Sequence, residues 1–169
     1  YLKKYIMEDV DLSPVEKPMI HTWVLMRYAE VVTNYAEAMN RAYGPDGTGE
    51  GLTMTAREAL NLIRVRASMP DVPATIETTA DFQKFLEHEK RVEFAMEGHR
   101  FWDVRRWKIA GDTQGTVSGV RIVRNPDGSK SYSRVTVEMR NWEDKKYLYP
   151  IPMTELYKNN NLYPQNPGW

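Results

Sequence analysis

Two acids, Glu93 and Glu97, stand four residues apart in a stretch with helical periodicity, a spacing that sets carboxylates one turn from each other. A separation of roughly 5–5.5 Å between two carboxyl groups is the geometry of retaining glycoside hydrolysis, with one acid protonating the leaving group and the other attacking. That reaction also requires the two groups to address opposite sides of a scissile bond in a cleft. Neighbours on one helix face point the same way, and here three arginines, Arg100, Arg105 and Arg106, follow directly. Ion-paired clamps between helices explain the same residues with fewer assumptions, because an acid on an otherwise apolar face must be paired if it is buried.

Other residues with chemical potential fall away on spacing. His88-Glu89-Lys90-Arg91-Val92 begins like a zinc-protease helix, but the second imidazole is due four positions after the first, where Val92 stands. His21 and His99 are isolated and read as packing or surface residues. The run Gly44-Pro45-Asp46-Gly47-Thr48-Gly49-Glu50-Gly51 resembles a phosphate loop only in composition: it follows a helix and lacks the Lys and Ser/Thr ending. Asp46 and Glu50 do not follow the calcium-loop ligand order, so the segment reads as a connector. Phe101, Trp102 and Trp107 alternate with arginines, as in a buried aromatic and guanidinium lock. Trp142, Tyr132 and Tyr147 lie in or near turns and are the better candidates for stacking on a ligand.

The elements that must position these residues are mainly helical. From Thr22, a candidate N-cap, Leu25, Ala29, Val32, Ala36 and Met39 recur at helical spacing, with alanines at 29, 36, 38 and 42 predicting close packing on a neighbour. The glycine-rich run ends that helix. Thr55-Ala56-Arg57-Glu58 fits a capping box, and Ala56, Ala59, Leu60, Ile63 and Ala67 form the apolar face of a second helix. Residues 21–67 thus predict a tetratricopeptide-like helix pair, whose outer faces one pair cannot cover. A third helix is predicted over Asp81–Glu97, capped by Thr78 or Thr79, with Phe82, Phe85, Leu86, Glu89, Glu93 and Met96 on one side and Gly98 as its stop. A short helix over Arg100–Ile109 follows. Val120–Arg124 and Tyr132–Val137 read as a β-hairpin around Asn125-Pro126-Asp127-Gly128. Tyr147–Ile151 reads as extended, Thr154–Lys158 as one helical turn and Pro164–Trp169 as an irregular tail. Residues 1–20, with Pro14 and Pro18, read as an extended segment that leans on an upstream part of a longer polypeptide.

Composition bounds what such a scaffold can do. The chain has 169 residues, with 23 basic and 23 acidic side chains, and neutrality offers no long-range pull toward nucleic acid or anionic membranes. Cysteine is absent, which excludes disulfides, thiolate metal sites and cysteine nucleophiles within it. No run approaches the roughly 18 apolar residues of a membrane span. No cofactor or metal is called for, and no nucleic acid partner is expected.

Several blocks in order carry a resemblance. Leu25-Met26-Arg27-Tyr28-Ala29-Glu30-Val31 with Asn34-Tyr35-Ala36-Glu37-Ala38, then Asn61-Leu62-Ile63-Arg64-Val65-Arg66-Ala67, Glu89-Lys90-Arg91-Val92-Glu93-Phe94, Glu97-Gly98-His99-Arg100-Phe101-Trp102-Asp103-Val104-Arg105-Arg106-Trp107, Pro150-Ile151-Pro152 and Gln165-Asn166-Pro167-Gly168-Trp169 are similar to successive blocks of the SusD/RagB family of Bacteroidetes outer-membrane nutrient-binding lipoproteins. Lys90 stands where Arg is common in that family, and Ser68 where Gly is common before Met69-Pro70.

The resemblance implies the C-terminal portion of a longer protein, residues 21–169 forming a SusD-like C-terminal domain. It implies a mainly α, tetratricopeptide-like helical scaffold with a small β-hairpin and an irregular C-terminal tail. The function implied is non-catalytic: capture of oligosaccharides, or in some relatives peptides, at the cell surface of the outer membrane, and delivery to a SusC-like TonB-dependent transporter. Membrane contact would come only through a lipid anchor outside this segment. Within that frame Arg27, Glu93, Glu97, Arg100 and Asp103 are expected as structural clamps, and Trp142, Tyr132 and Tyr147 as ligand contacts. A glycoside hydrolase using Glu93 and Glu97, and a tetratricopeptide-like protein-docking module, are the rival expectations.

Overall fold

The computed structural model describes residues 4–6 and 23–169. The expected extended segment therefore falls, apart from residues 4–6, outside the described residues, as do the Thr22 cap and His21. The chain is mainly α-helical with one two-stranded antiparallel sheet, and it forms two compact units, one running to Arg100 and the other from Phe101.

The first unit is built on α1 (Tyr28–Tyr43), α2 (Ala56–Arg66) and α3 (Thr79–Glu93). Ala29, Val32, Ala36 and Met39 of α1 are buried with Ala56, Ala59, Leu60 and Ile63 of α2, and small residues where the helices meet let the backbones approach. Phe82 and Leu86 of α3 close this core without solvent exposure, each worth about 1.5–3 kcal/mol of apolar burial. Each later helix has a local start signal. Thr55 accepts from the Glu58 N–H while Glu58 accepts from the Thr55 N–H, a complete capping box, and Thr78 caps α3 by accepting from the Asp81 N–H.

Two helix boundaries and one packing face differ from the sequence expectation. Helix α1 begins at Tyr28 rather than near Thr22: Arg27 is the extended N-cap, held by bonds to a distant segment, and Leu25 is 86% exposed. Ala38 and Ala42 point to solvent and take no part in the close packing. Helix α3 stops at Glu93, not Glu97, because Phe94 caps it and Met96 adopts φ +65°. Met96 is consequently exposed, and Glu97 lies in the turn before the next helix.

The second unit carries most of α4 (His99–Arg106), then α5 (Ala110–Thr113), β1 (Thr116–Arg124), β2 (Lys130–Met139), a 3₁₀ turn at Asp144–Tyr147, α6 (Met153–Lys158) and a second 3₁₀ turn at Asn160–Leu162. The strands are longer than their β-branched centres predict, running in register from Thr116 opposite Met139 to Arg124 opposite Lys130, with a bulge at Val117/Ser118. The turn is closed by Asn125, whose N–H donates to the Ser129 carbonyl at 2.9 Å, and by Gly128 at φ +86°. The buried residues of this unit are few: Val104, Ala110 and Leu156, with Asp103. Trp102 is 64% exposed, so the expected buried lock is not formed; Arg105 and Arg106 instead lie over Phe101 and Trp107, at 3.6 and 5.0 Å from the ring centroids.

Candidate functional site

A dense polar cluster of the first unit is centred on Arg27. Its extended N-cap backbone directs the side chain away from α1 and toward the end of α3. There Nε donates to Glu97 Oε2 at 2.8 Å and Nη2 to Glu97 Oε1 at 3.0 Å, a two-pronged grip on one carboxylate. Nη1 donates to Glu93 Oε1 at 2.5 Å, and Nη2 also reaches the Glu93 carbonyl at 2.8 Å. The guanidinium plane stands 4.5 Å from the centroid of buried Phe94. Arg66 adds a second cation on Glu93 at 2.7 Å, and Lys4 pairs with Glu97 while donating to the carbonyls of Glu93 and Ala95.

Burial sharpens these contacts. The Glu97 side chain is only 4% exposed, that of Glu93 14% and that of Arg27 25%. Burial alone would push the Glu97 carboxyl up, but the bonds from Arg27 and Lys4 outweigh it and hold the group below the ordinary carboxylate value. For Arg27, burial opposes the charge, and the bonds to Glu97 and Glu93 overcome it and push the guanidinium up. A cleft of about 560 Å³ borders this cluster, with Tyr5, Val24 and Val92 among its walls. Both acids are spent on cations, which does not leave one free to protonate a leaving group while the other attacks. The one-turn helical spacing that suggested a catalytic pair is also absent, since Glu97 has left the helix.

The other acid on α3 is treated in the same way. Glu89 pairs with Arg64 of α2, which is buried, lies over Phe85 and donates to the Pro70 carbonyl at 2.6 Å. Asp46 of the glycine-rich connector is gripped by Arg57 at 2.6 and 2.8 Å, which holds its carboxyl below the usual range. His99 packs on Phe94 with 4.6 Å between ring centroids. Sequence reasoning missed Lys4 and Arg66 in the cluster, because nothing local marks them: their partners are tens of residues away.

The remaining expected residues are placed differently. Asp103, buried in the second unit, bonds Arg106 Nη2 at 3.1 Å within α4, and Arg100 is half-buried at the end of the first unit. Of the three aromatic candidates, only Tyr132 stands open, 65% exposed on β2 opposite Ile122. Trp142 and Tyr147 are half-buried and packed edge to face at 4.9 Å. The Tyr147 hydroxyl accepts from the Ala110 N–H at 3.2 Å, and Trp142 Cδ1 would lie 3.4 Å from a Cβ added at Gly111. Their settings near turns predict exposure; contacts with α5, which the sequence does not predict, half-bury them.

On α1 and α2 an apolar side is left uncovered. Tyr28, Val31, Leu62 and Val65 are half or more exposed, and a groove of about 390 Å³ runs past Tyr28, Ala29, Val32, Leu62 and Ile63. Among the described residues no helix is long and apolar enough to cross a membrane.

The SusD/RagB family model, described as the SusD family, matches residues 1–169. SusD-like protein P2 of Formosa agariphila is 28% identical over 153 residues, covering 87% of this chain and 26% of that protein. SusD-like protein P38 of the same organism is 34% identical over 98 residues, covering 57% of this chain and 19% of that protein. The crystal structure of a SusD-like protein from Bacteroides fragilis NCTC 9343 superposes with a TM-score of 0.71 at 35% identity, covering 87% of this chain and 26% of that one. The chain thus spans about a quarter, or less, of the length of each of these relatives.

Proposed function

Since the chain belongs to the SusD family, we propose that it is part of a non-catalytic, surface-exposed outer-membrane protein that captures oligosaccharides and hands them to a SusC-like TonB-dependent transporter. The family match over the whole chain is the observation that carries this reading. The engagement of Glu93 and Glu97 by Arg27 supports it, because both acids of the rival catalytic pair are bonded to one cation. Arg27, Glu93 and Glu97 act as a brace between the start of α1 and the end of α3. Asp103, with Arg106, braces α4, and Arg100 belongs to the same group. Tyr132, exposed on the hairpin, is the open ligand-stacking candidate in this segment; Trp142, packed edge-on against Tyr147, supports the unit that carries it.

The test is a panel of oligosaccharides titrated into the complete natural protein by calorimetry, with the sugars analysed afterwards for cleavage. Saturable binding with every sugar recovered intact is the expected result. Turnover that Glu93→Gln abolishes would replace this reading with a glycoside hydrolase. A second reading is favoured by the exposed apolar side of α1 and α2, which suits a tetratricopeptide-like module that docks other polypeptide. Peptide capture that added sugar does not diminish is the result that would select it.

A further inference from the structure

The net charge of zero conceals an asymmetry. Residues up to Arg100 carry 12 basic and 16 acidic side chains, whereas those from Phe101 onward carry 11 basic and 7 acidic. In the second unit part of this positive charge gathers around one concavity. A cavity of about 480 Å³ is lined by Arg105, Lys108 and Lys145 against a single acid, Asp144, with Tyr147 and Leu148 as its apolar wall. Concave sites with an apolar wall and a few converging polar groups are where small ligands bind.

Each cation is held there by a separate feature. Arg105 lies over the Phe101 ring at 3.6 Å, and the one acceptor it meets among the described residues is the Phe101 carbonyl, at 2.9 Å from Nη1. Its Nε is buried without an acceptor, and no carboxylate among the described residues pairs with this guanidinium. Lys108 adopts φ +58°, in the left-handed region. It follows the end of α4, where the Lys108 N–H donates to the Arg105 carbonyl at 3.1 Å and the Ile109 N–H to the Val104 carbonyl at 3.0 Å. This bonding pattern places a residue in left-handed conformation, and glycine is the usual occupant. A lysine there sets backbone strain against a cation at the cavity, with no ion pair among the described residues to account for it. Lys145 pairs with Glu143 at 3.2 Å, and its ammonium lies 5.0 Å from the Trp169 ring centroid. Tyr147, fixed through its hydroxyl to Ala110 and edge-on to Trp142, makes a rigid side to the cavity.

We propose that this cavity is a subsite for the acidic group of a charged sugar residue, the carboxylate of a uronic acid or a sulfate ester. Arg105 and Lys108 contact the anion, Lys145 adds charge at the edge, and the Tyr147 and Leu148 wall takes the less polar side of the sugar ring. An anion with several oxygens can accept from a guanidinium and an ammonium together, whereas a neutral hydroxyl gains little from either. The inference deepens the glycan-capture reading and rests on it, naming the class of sugar.

The test uses the complete natural protein and calorimetric titration with four probes: a galacturonic acid tetrasaccharide, a sulfated galactan tetrasaccharide, a neutral galactan tetrasaccharide and inorganic sulfate alone. One acidic tetrasaccharide is expected to bind at least about tenfold more tightly than the neutral one, with affinity falling as salt rises. Which of the two binds identifies the anion, and inorganic sulfate alone is expected to bind far more weakly. Lys108→Gly is the decisive variant. Glycine relieves the left-handed strain, so the melting temperature is expected to hold or rise while affinity for the acidic sugar falls about tenfold or more. An unchanged affinity in Lys108→Gly, or equal affinity for neutral and acidic sugars, overturns the subsite and leaves glycan capture standing. Failure of every sugar to bind, in a panel extended to other neutral oligosaccharides, removes both.

Discussion

Arg27 grips both carboxylate oxygens of Glu97 across 70 residues of sequence, at 2.8 and 3.0 Å. The bond joins the residue before α1 to the turn after α3, and the same guanidinium holds Glu93 at the last position of that helix. Deleting one partner leaves a charge with its bonds unmade in a place that water reaches poorly, which is costlier than never having built the pair. With Arg27 a quarter exposed, Glu97→Ala is expected to lower stability by about 2–3 kcal/mol, below the cost of a fully interior pair. Chemical denaturation of the complete natural protein measures this, and a loss under 0.5 kcal/mol, about the size of an exposed pair, would show that the brace carries no load. Arg27→Lys is not conservative here, because an ammonium cannot make the paired grip.

The same bond sets a pH dependence. The Glu97 carboxyl is held below its ordinary value of 4.5, burial being outweighed by the bonds from Arg27 and Lys4. A group whose folded pKa is depressed stabilises the fold fully above its unfolded pKa, and the contribution disappears as pH falls through the folded value. Stability therefore holds this contribution at neutral pH and loses it progressively below pH 4.5. Melting temperatures of parent and Glu97→Gln taken from pH 7 to pH 3 are expected to converge toward the acid end. Curves that fall in parallel would show that Glu97 is not among the groups that titrate with unfolding.

Ser68 holds a backbone conformation that favours glycine. It adopts φ +55° just after α2, where its N–H donates to the Val65 carbonyl at 3.0 Å and the Met69 N–H to the Arg64 carbonyl at 2.9 Å. Glycine adopts that backbone without steric cost, so Ser68→Gly is expected to stabilise by about 0.5–1 kcal/mol. Thermal denaturation checks the sign, and a destabilised variant would mean that the serine side chain contributes more than the strain takes away.

Legibility followed how local each determinant is. The Thr55–Glu58 capping box, the glycine-rich stop after Tyr43 and the Asn125–Gly128 turn act within four residues and could be read directly. The start of α1 could not, because the apolar period runs smoothly through Leu25 while Arg27 is drawn out of the helix by acids at 93 and 97. The left-handed turn at Met96, which removes Glu97 from α3, has no glycine to announce it. The cluster's other cations, Lys4 and Arg66, were invisible for the same reason as the enclosure of Trp142: each depends on a partner brought from a distant part of the chain.

The sequence settings of Tyr132 and Trp142 predict one role, and their surroundings separate them. Trp142 touches Tyr147 edge-on, lies against Gly111 and sits with the Arg105 guanidinium 5.4 Å from its ring centroid. Removing that ring opens a gap that its neighbours cannot fill, so Trp142→Ala is expected to cost about 2 kcal/mol of stability, less than a fully buried tryptophan would. Tyr132 stands 65% exposed on a strand whose partner residue is Ile122, and its loss takes little packing away. If its ring stacks on sugar, Tyr132→Ala is expected to weaken binding by about fivefold, roughly 1 kcal/mol, with the melting temperature unchanged. Calorimetry with the tightest sugar, run beside thermal denaturation on both variants, distinguishes the roles. Unchanged sugar affinity in Tyr132→Ala would remove the hairpin from the ligand site, and a Trp142→Ala protein as stable as the parent would return that ring to the list of ligand contacts.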